Sequence, residues 1–220
     1  MKNGCFVSFE GGEGSGKSTQ IHKLSQWLHQ NNIDNIVTRE PGGSEGGEKI
    51  RKLLVSGGVN QWEPMSEILL FYAARYDHVE RLIKPTLAKG IWVLCDRFFD
   101  STIAYQGYGH NISLSKLKQL NQLILGDFQP DMTFLLDIPA QIGLKRANIR
   151  ENEKDLKEDR FENLDISFHE RLRNGYLDLA QNQSRFKIID ANRDIDVISN
   201  DIIDICNHYI DGYILKKLNG

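Results

Sequence analysis

The residues best suited to chemistry stand near the start of the chain. Gly11-Gly-Glu-Gly-Ser-Gly16-Lys17-Ser18-Thr19 satisfies the spacing G-x-x-x-x-G-K-[ST], with an apolar run before it and a helical pattern after it. Glycines so spaced let consecutive backbone N–H groups turn inward around phosphate oxygens, and the following helix adds the positive end of its dipole. The spacing predicts a phosphate cradle over Gly11, Gly12, Glu13, Gly14, Ser15, Gly16 and Thr19, from which Lys17 carries its charge to the β and γ phosphates. Ser18 offers a hydroxyl to Mg²⁺, a small cation that keeps several waters and takes few protein oxygens. The ligand implied is a nucleoside triphosphate. Because the same loop serves switches, motors and kinases, it leaves the reaction open. The Asn-Lys-x-Asp sequence by which switches usually read guanine does not occur.

Two arginines point to a second anion. Arg39, in Thr38-Arg39-Glu40-Pro41-Gly42-Gly43, and Arg97, in Asp96-Arg97-Phe98, each stand at the end of an apolar run. A guanidinium forks onto two phosphate oxygens, so the pair would define a place for a monophosphate. Asp96 is placed like the acid that organises Mg²⁺ or the acceptor phosphate in cradle enzymes. Taken singly, each arginine has a surface ion pair as its lesser alternative, which three such residues at strand ends in one crevice make harder to sustain. Phe71 and Arg75 are four apart and share one helical face, where a ring can stack on a base while the guanidinium reaches its edge. Arginine only donates, so it suits the O4 acceptor of thymine or uracil and not the amino group of cytosine. Ser101, Thr102, Tyr105 and Gln106 could add small polar contacts and a second ring. Core packing is the alternative for Phe71.

These side chains need a frame, and the pattern predicts one. Cys5–Glu10, Ile36–Arg39, Ile91–Asp96, Met132–Asp137 and Phe186–Asp190 are short runs, mostly β-branched or aromatic, each ending in a charge. Between them, apolar residues recur at three- and four-residue steps: Ile21, Leu24 and Leu28; Ile68, Leu69 and Tyr72; Leu117, Leu120, Leu123 and Ile124. Strands separated by helices require crossovers, hence an α/β fold with a parallel five-stranded sheet and helices on both faces. The ligand crevice of such a sheet lies beyond the carboxyl ends of its strands. Two segments break the regularity: Arg39–Gly47 reads as a shaped glycine-rich loop, and Arg150–Glu162 is a run of mixed charges whose plain reading is a solvated helix end or linker.

Composition narrows the class. A chain of 220 residues with 40% apolar content can bury a core, and a formal charge of −3, from 27 Lys and Arg against 30 Asp and Glu, argues against a nucleic-acid coat or a polybasic membrane binder. The longest apolar run, Ile68–Ala74, is far short of a span, and the polar start Met1-Lys2-Asn3-Gly4 reads as no secretory leader. A cytoplasmic protein without a membrane or nucleic-acid partner is expected. Cys5, Cys95 and Cys206 have no disulfide or zinc spacing, and Cys5 and Cys95 are expected as buried thiols.

The chain resembles the bacterial thymidylate kinases along nearly its whole length. The resemblance is carried by Phe9-Glu-Gly-Gly-Glu-Gly-Ser-Gly-Lys-Ser18, Thr38-Arg-Glu-Pro-Gly-Gly43, Phe71-Tyr-Ala-Ala-Arg75, Asp96-Arg97 with Ser101-Thr102 and Ala104-Tyr-Gln-Gly107, Leu125-Gly-Asp-Phe128 with Pro130-Asp131, and Gly143-Leu-Lys-Arg146. It implies transfer of the γ-phosphoryl of ATP to dTMP with Mg²⁺, giving dTDP and ADP, on a P-loop NTPase-type sheet in a homodimer. It further implies one domain over 1–220, with a mobile lid at about 148–164. By the same resemblance Arg39 and Arg97 hold the dTMP phosphate, Phe71 stacks on thymine, Arg75 meets O4, and Thr102 lies near N3. Tyr105 would lie under the sugar where a 2′-hydroxyl would crowd, Glu13 near the 3′-hydroxyl, and Arg146 against adenine. Some members carry an arginine in the cradle where this chain has Gly14; in the other type the transition-state arginine comes from the lid, with Arg150 first and Arg160 second. Glu153–Glu158 departs from the family's shorter lids, which leaves the choice between the two open. The rival readings are a deoxynucleoside kinase or another monophosphate kinase on this fold, and a non-catalytic nucleotide switch.

Overall fold

The computed structural model describes residues 4–56, 58, 61–151, 164–181 and 183–218. Five apolar runs become parallel strands of one sheet: β1 (Phe6–Glu10), β2 (Asn35–Arg39), β3 (Trp92–Asp96), β4 (Met132–Asp137) and β5 (Phe186–Asp190), ordered β2-β3-β1-β4-β5. Register levels the ends that matter, since Asp96 pairs with Phe9 on one side and Arg39 on the other. The carboxyl ends of β1, β2 and β3 therefore deliver the cradle, Arg39 and Arg97 to one edge.

The helices are α1 (Lys17–Gln30), α2 (Glu45–Val55), α3 (Pro64–His78), α4 (Lys84–Ala88), α5 (Phe99–Thr102), α6 (Leu114–Leu125), α7 (Ala140–Glu151), α8 (Ile166–Gln181) and α9 (Ile195–Leu218), with π-helical turns at Val79–Ile83 and Ile103–Gly109. Strand side chains alternate, so the sheet has two apolar faces. Val7, Phe9, Leu94 and Phe134 pack under Ile21, Leu24 and Leu28 of α1 and Ile198 and Ile202 of α9. Phe6, Val93, Cys95 and Leu135 pack under Ile103, Tyr105 and the α8 residues Phe168, Leu172 and Tyr176. A smaller cluster of Ile68, Tyr72 and Leu117 joins α3 to α6. Each fully buried Leu or Phe in these layers contributes about 1.5–3 kcal/mol.

The five expected strands and the helices on both faces are present, with three strand starts moved by one residue. Two apolar positions face water instead of the core: Leu69 is 50% exposed and Leu123 81% exposed. Ile68 and Tyr72 share one side of α3, and Leu69 is a helical step of about 100° away from it. The glycine-rich loop ends earlier than expected, because Glu45–Gly47 form the first turn of α2. Ser44 caps that turn by accepting the Gly47 N–H at 3.0 Å, and Glu48 reaches back to the Gly43 N–H at 3.0 Å, which offsets the helix-breaking tendency of two glycines. Cys5 and Cys95 are buried thiols, as is Cys206.

Candidate active site

A cleft of about 490 Å³ opens at the carboxyl ends of β1–β3. Its floor is the cradle. Gly14 and Gly16 take the left-handed conformation, with φ of 65° and 88°, and Gly11 sits at 140°. At Gly14 a second constraint adds to the turn: a Cβ there would stand 1.9 Å from the carbonyl oxygen of Gly143, so α7 rests directly on the cradle backbone. No side chain caps the first turn of α1 and no acidic residue stands in it, which leaves its positive end open to an anion. Lys17 curls over the loop, donating from Nζ to the carbonyl oxygens of Gly11 at 3.2 Å and Gly12 at 3.0 Å. Burial, helped by the positive charge of Arg97, brings its ammonium down to about 8. Ser18 Oγ donates to Asp96 Oδ2 at 2.8 Å, so these two residues place a hydroxyl and a carboxylate oxygen side by side.

Arg97 stands at a left-handed kink, φ 68°, immediately after β3. Its Nη1 donates to the Gly11 carbonyl at 3.0 Å and its Nη2 to Glu13 Oε1 at 2.9 Å, and the guanidinium lies 4.9 Å from the centre of the Tyr105 ring. The Tyr105 hydroxyl donates to the same Glu13 oxygen. Arg39 lines the cleft from β2, half-exposed, with Glu48 Oε2 at 3.2 Å. Beneath Arg97 lies a buried acid. Glu10 is fully enclosed, and burial pushes its carboxyl up to about 8, with Asp100 acting in the same direction and Ser101, Arg97 and the Phe98 N–H against it.

The far end of the cleft holds Phe71 and Arg75 on α3. Arg75 is 2% exposed; its Nε donates to Glu40 Oε2 at 2.6 Å and its Nη2 to Thr102 Oγ1 at 3.0 Å and the Phe98 carbonyl at 3.4 Å. Its Nη1 is buried with no hydrogen-bond partner, a donor left for something in the cleft. Glu40 is itself held from behind, with His78 Nδ1 at 3.1 Å from Oε1 and His78 Nε2 at 2.8 Å from Thr38 Oγ1. Gln106 donates to Glu67 at 3.0 Å, and the π-helical turn that carries it also presents Tyr105.

Glu13–Thr19, Arg39, Phe71, Arg75, Asp96, Arg97, Ser101, Thr102, Tyr105 and Gln106 all line this one cleft. Gly11 and Gly12 are not in that lining: they border a smaller pocket with Leu135, Ile138 and Arg173, and reach the cleft only through their carbonyl oxygens, which accept from the Lys17 ammonium. Arg146 is placed elsewhere, on the exposed side of α7, where Nη1 donates to the Ala191 carbonyl at 3.1 Å. Arg150 falls in the last turn of α7, its side chain outside the described residues; Arg160 lies outside them altogether. The sequence pattern missed Glu40, Arg51 and Phe98 in the lining, and Tyr176 and Glu10 behind it. Arg51 was hidden because α2 starts on glycines; it donates to the Pro41 carbonyl at 2.9 Å.

Comparison with known proteins gives one answer. A family model described as thymidylate kinase matches residues 9–202. The chain is 50% identical over 206 residues to the thymidylate kinase of Caulobacter vibrioides, covering 93% of this chain and 97% of that one. It is 48% identical over 207 residues to that of Bartonella henselae, covering 93% and 96%. The crystal structure of thymidylate kinase from Ehrlichia chaffeensis superposes with a TM-score of 0.74 at 35% identity, over 93% of this chain and 99% of that chain.

Proposed function

The chain belongs to the thymidylate kinase family and phosphorylates dTMP to dTDP, and from that premise we propose how its residues divide the work. The observation that carries the reading is a shared atom: Lys17 Nζ and Arg97 Nη1 both donate to the Gly11 carbonyl oxygen, at 3.2 and 3.0 Å. A cation for a donor phosphate and a cation for an acceptor phosphate thus meet over one point, where the transferred group passes. ATP is the donor, held by the cradle from Gly11 to Thr19 with Lys17 on its β and γ phosphates; Arg39 and Arg97 hold the acceptor phosphate. Phosphoryl transfer asks the protein for alignment and charge stabilisation and little covalent chemistry.

Phe71 stacks on the base, and the unpartnered Nη1 of Arg75 donates to O4, a place where the amino group of cytosine would bring a donor against a donor. Ser101, Thr102 and Gln106 complete the polar wall. Tyr105 occupies the space of a 2′-hydroxyl, with Glu13 near the 3′-hydroxyl. Ser18 and Asp96 suit Mg²⁺, which binds through few protein oxygens and completes its shell with phosphate and water. When bound, it neutralises phosphate charge. The remaining transition-state cation comes from a lid at about 148–164, supplied by Arg150 first and Arg160 second, and Arg146 lies against adenine. Lid and core form one domain, 1–220.

The cation sites call for small anionic substrates and no nucleic acid. No helix among the described residues is long and apolar enough to cross a membrane. A cytoplasmic location is part of the same proposal. Exposed Leu53 on α2, Leu69 and Tyr76 on α3 and Leu123 on α6 support a homodimer through these helices. A panel of nucleoside monophosphates assayed with ATP and Mg²⁺ tests the reading. ADP should form only when a monophosphate is added, fastest with dTMP and far more slowly with dCMP or a ribonucleotide. ADP formation independent of monophosphate, or equal rates with dCMP, would overturn it.

A further inference from the structure

Glu10 is the last residue of β1 and lies under the acceptor arginine, yet no step above uses it. Its carboxyl group is 0% exposed and touches Arg97 at second hand in two ways. First, Oε1 accepts the Phe98 N–H at 2.7 Å, while the Arg97 N–H donates to the Phe9 carbonyl at 2.9 Å. These bonds bracket the kink at Arg97, whose φ of 68° is a conformation that a residue with a side chain rarely adopts. Second, Oε2 lies 2.6 Å from Ser101 Oγ and 3.1 Å from the Tyr176 hydroxyl, which are 2.8 Å from each other. That closed ring fixes both hydroxyls, and Arg97 Nη1 donates to them at 3.3 and 3.2 Å.

We propose that Glu10 is a positioning residue for Arg97, holding the backbone kink with one carboxyl oxygen and, through Ser101 and Tyr176, the guanidinium with the other. A misplaced fork can engage a phosphate through one N–H where it should use two, so the loss falls mainly on the phosphate end of the substrate, and only the small part carried by Ser101 reaches the nucleoside. Tyr176 belongs to α8, so the same ring also anchors that helix under the acceptor site. The proposal rests on the reading that Arg97 holds the dTMP phosphate.

Dissociation constants of dTMP and of thymidine, which has no phosphate, measured by calorimetry on the full chain separate the two claims. Glu10→Ala should weaken dTMP about tenfold and thymidine no more than about twofold, and in an Arg97→Ala background it should cost dTMP no more than that same twofold, because both substitutions remove one interaction. Tyr176→Phe, which deletes a single hydroxyl, should show the same selective loss at about threefold and serves if Glu10→Ala does not fold. Equal weakening of dTMP and thymidine, no weakening of either, or a loss of about tenfold that adds to that of Arg97→Ala overturns the positioning role while the reading of Arg97 stands. If Arg97→Ala alone leaves the dTMP to thymidine ratio unchanged, the acceptor reading fails and this proposal with it.

Discussion

Replacing Gly14 with alanine perturbs the seat between the cradle and α7. The backbone there is left-handed at φ 65°, and the new methyl would meet the Gly143 carbonyl oxygen at 1.9 Å, the Gly143 carbonyl carbon at 2.8 Å and the Ala147 nitrogen at 3.1 Å. All three atoms are backbone, so no rotamer relieves the contact; α7 must retreat by about 1 Å to reach the 3.0 Å below which such contacts essentially do not occur. Left-handed strain costs about 1–3 kcal/mol and overpacking a further 1–3 kcal/mol, a loss of roughly 2–6 kcal/mol. At about 2–4 °C per kcal/mol for a chain of this size, thermal unfolding followed by circular dichroism should shift down by roughly 4–24 °C. A displacement of about 1 Å in the loop that holds the donor phosphates should lower kcat by about 10²-fold in a coupled ADP assay with dTMP, ATP and Mg²⁺. Gly14→Arg, which imitates a cradle arginine, should fare no better, since its side chain starts from the same blocked Cβ. A melting temperature within about 1 °C of wild type together with kcat within about twofold would refute the argument, because neither strain nor displacement of that size could then exist.

Glu40→Ala strips the buried Arg75 of its partner at 2.6 Å, both side chains being almost fully enclosed, and should cost about 3–5 kcal/mol in denaturant unfolding and raise the dTMP KM; wild-type stability would rule the pair out as a structural tie. Lys17 sits at about 8 in the ligand-free protein, and bound phosphate must raise it. ATP binding therefore takes up a proton: it is tightest below about pH 8 and weakens as pH rises through that value toward the higher bound one, by up to about tenfold per unit. Titrations from about pH 7 to 9.5 should show this slope in wild type and none in Lys17→Met; parallel curves would refute it. Arg150→Ala should reduce kcat by about 10³-fold or more with little change in the dTMP KM, and Arg160→Ala should do less; the reverse ranking in steady-state kinetics would hand the role to Arg160.

Much of the site was legible because its chemistry is local. The cradle needs nine consecutive residues, and glycines, a lysine and a hydroxyl at that spacing can be read without knowing where the rest of the chain goes. Strand ends were equally legible, since apolar runs stop at charges, and with them Arg39, Asp96 and Arg97. The glycines that misled were those of α2, where Ser44 and Glu48 supply from side chains what intrinsic propensity lacks.

Partnerships across long separations were not legible. Arg75 finds Glu40 across 35 positions and Tyr176 finds Glu10 across 166, and no periodicity links residues so far apart. Local spacing likewise accounts for Gly14 as a turn residue, while its contact with Gly143 exists only because α7 was carried over the cradle by the crossover from β4. Spacing sets which groups one short segment can present. Which cation shares Gly11 with Lys17, which acid stands behind Arg97 and which donor of Arg75 is left without a partner were decided when register and crossover packed β1, β3, α3 and α8 around one cleft.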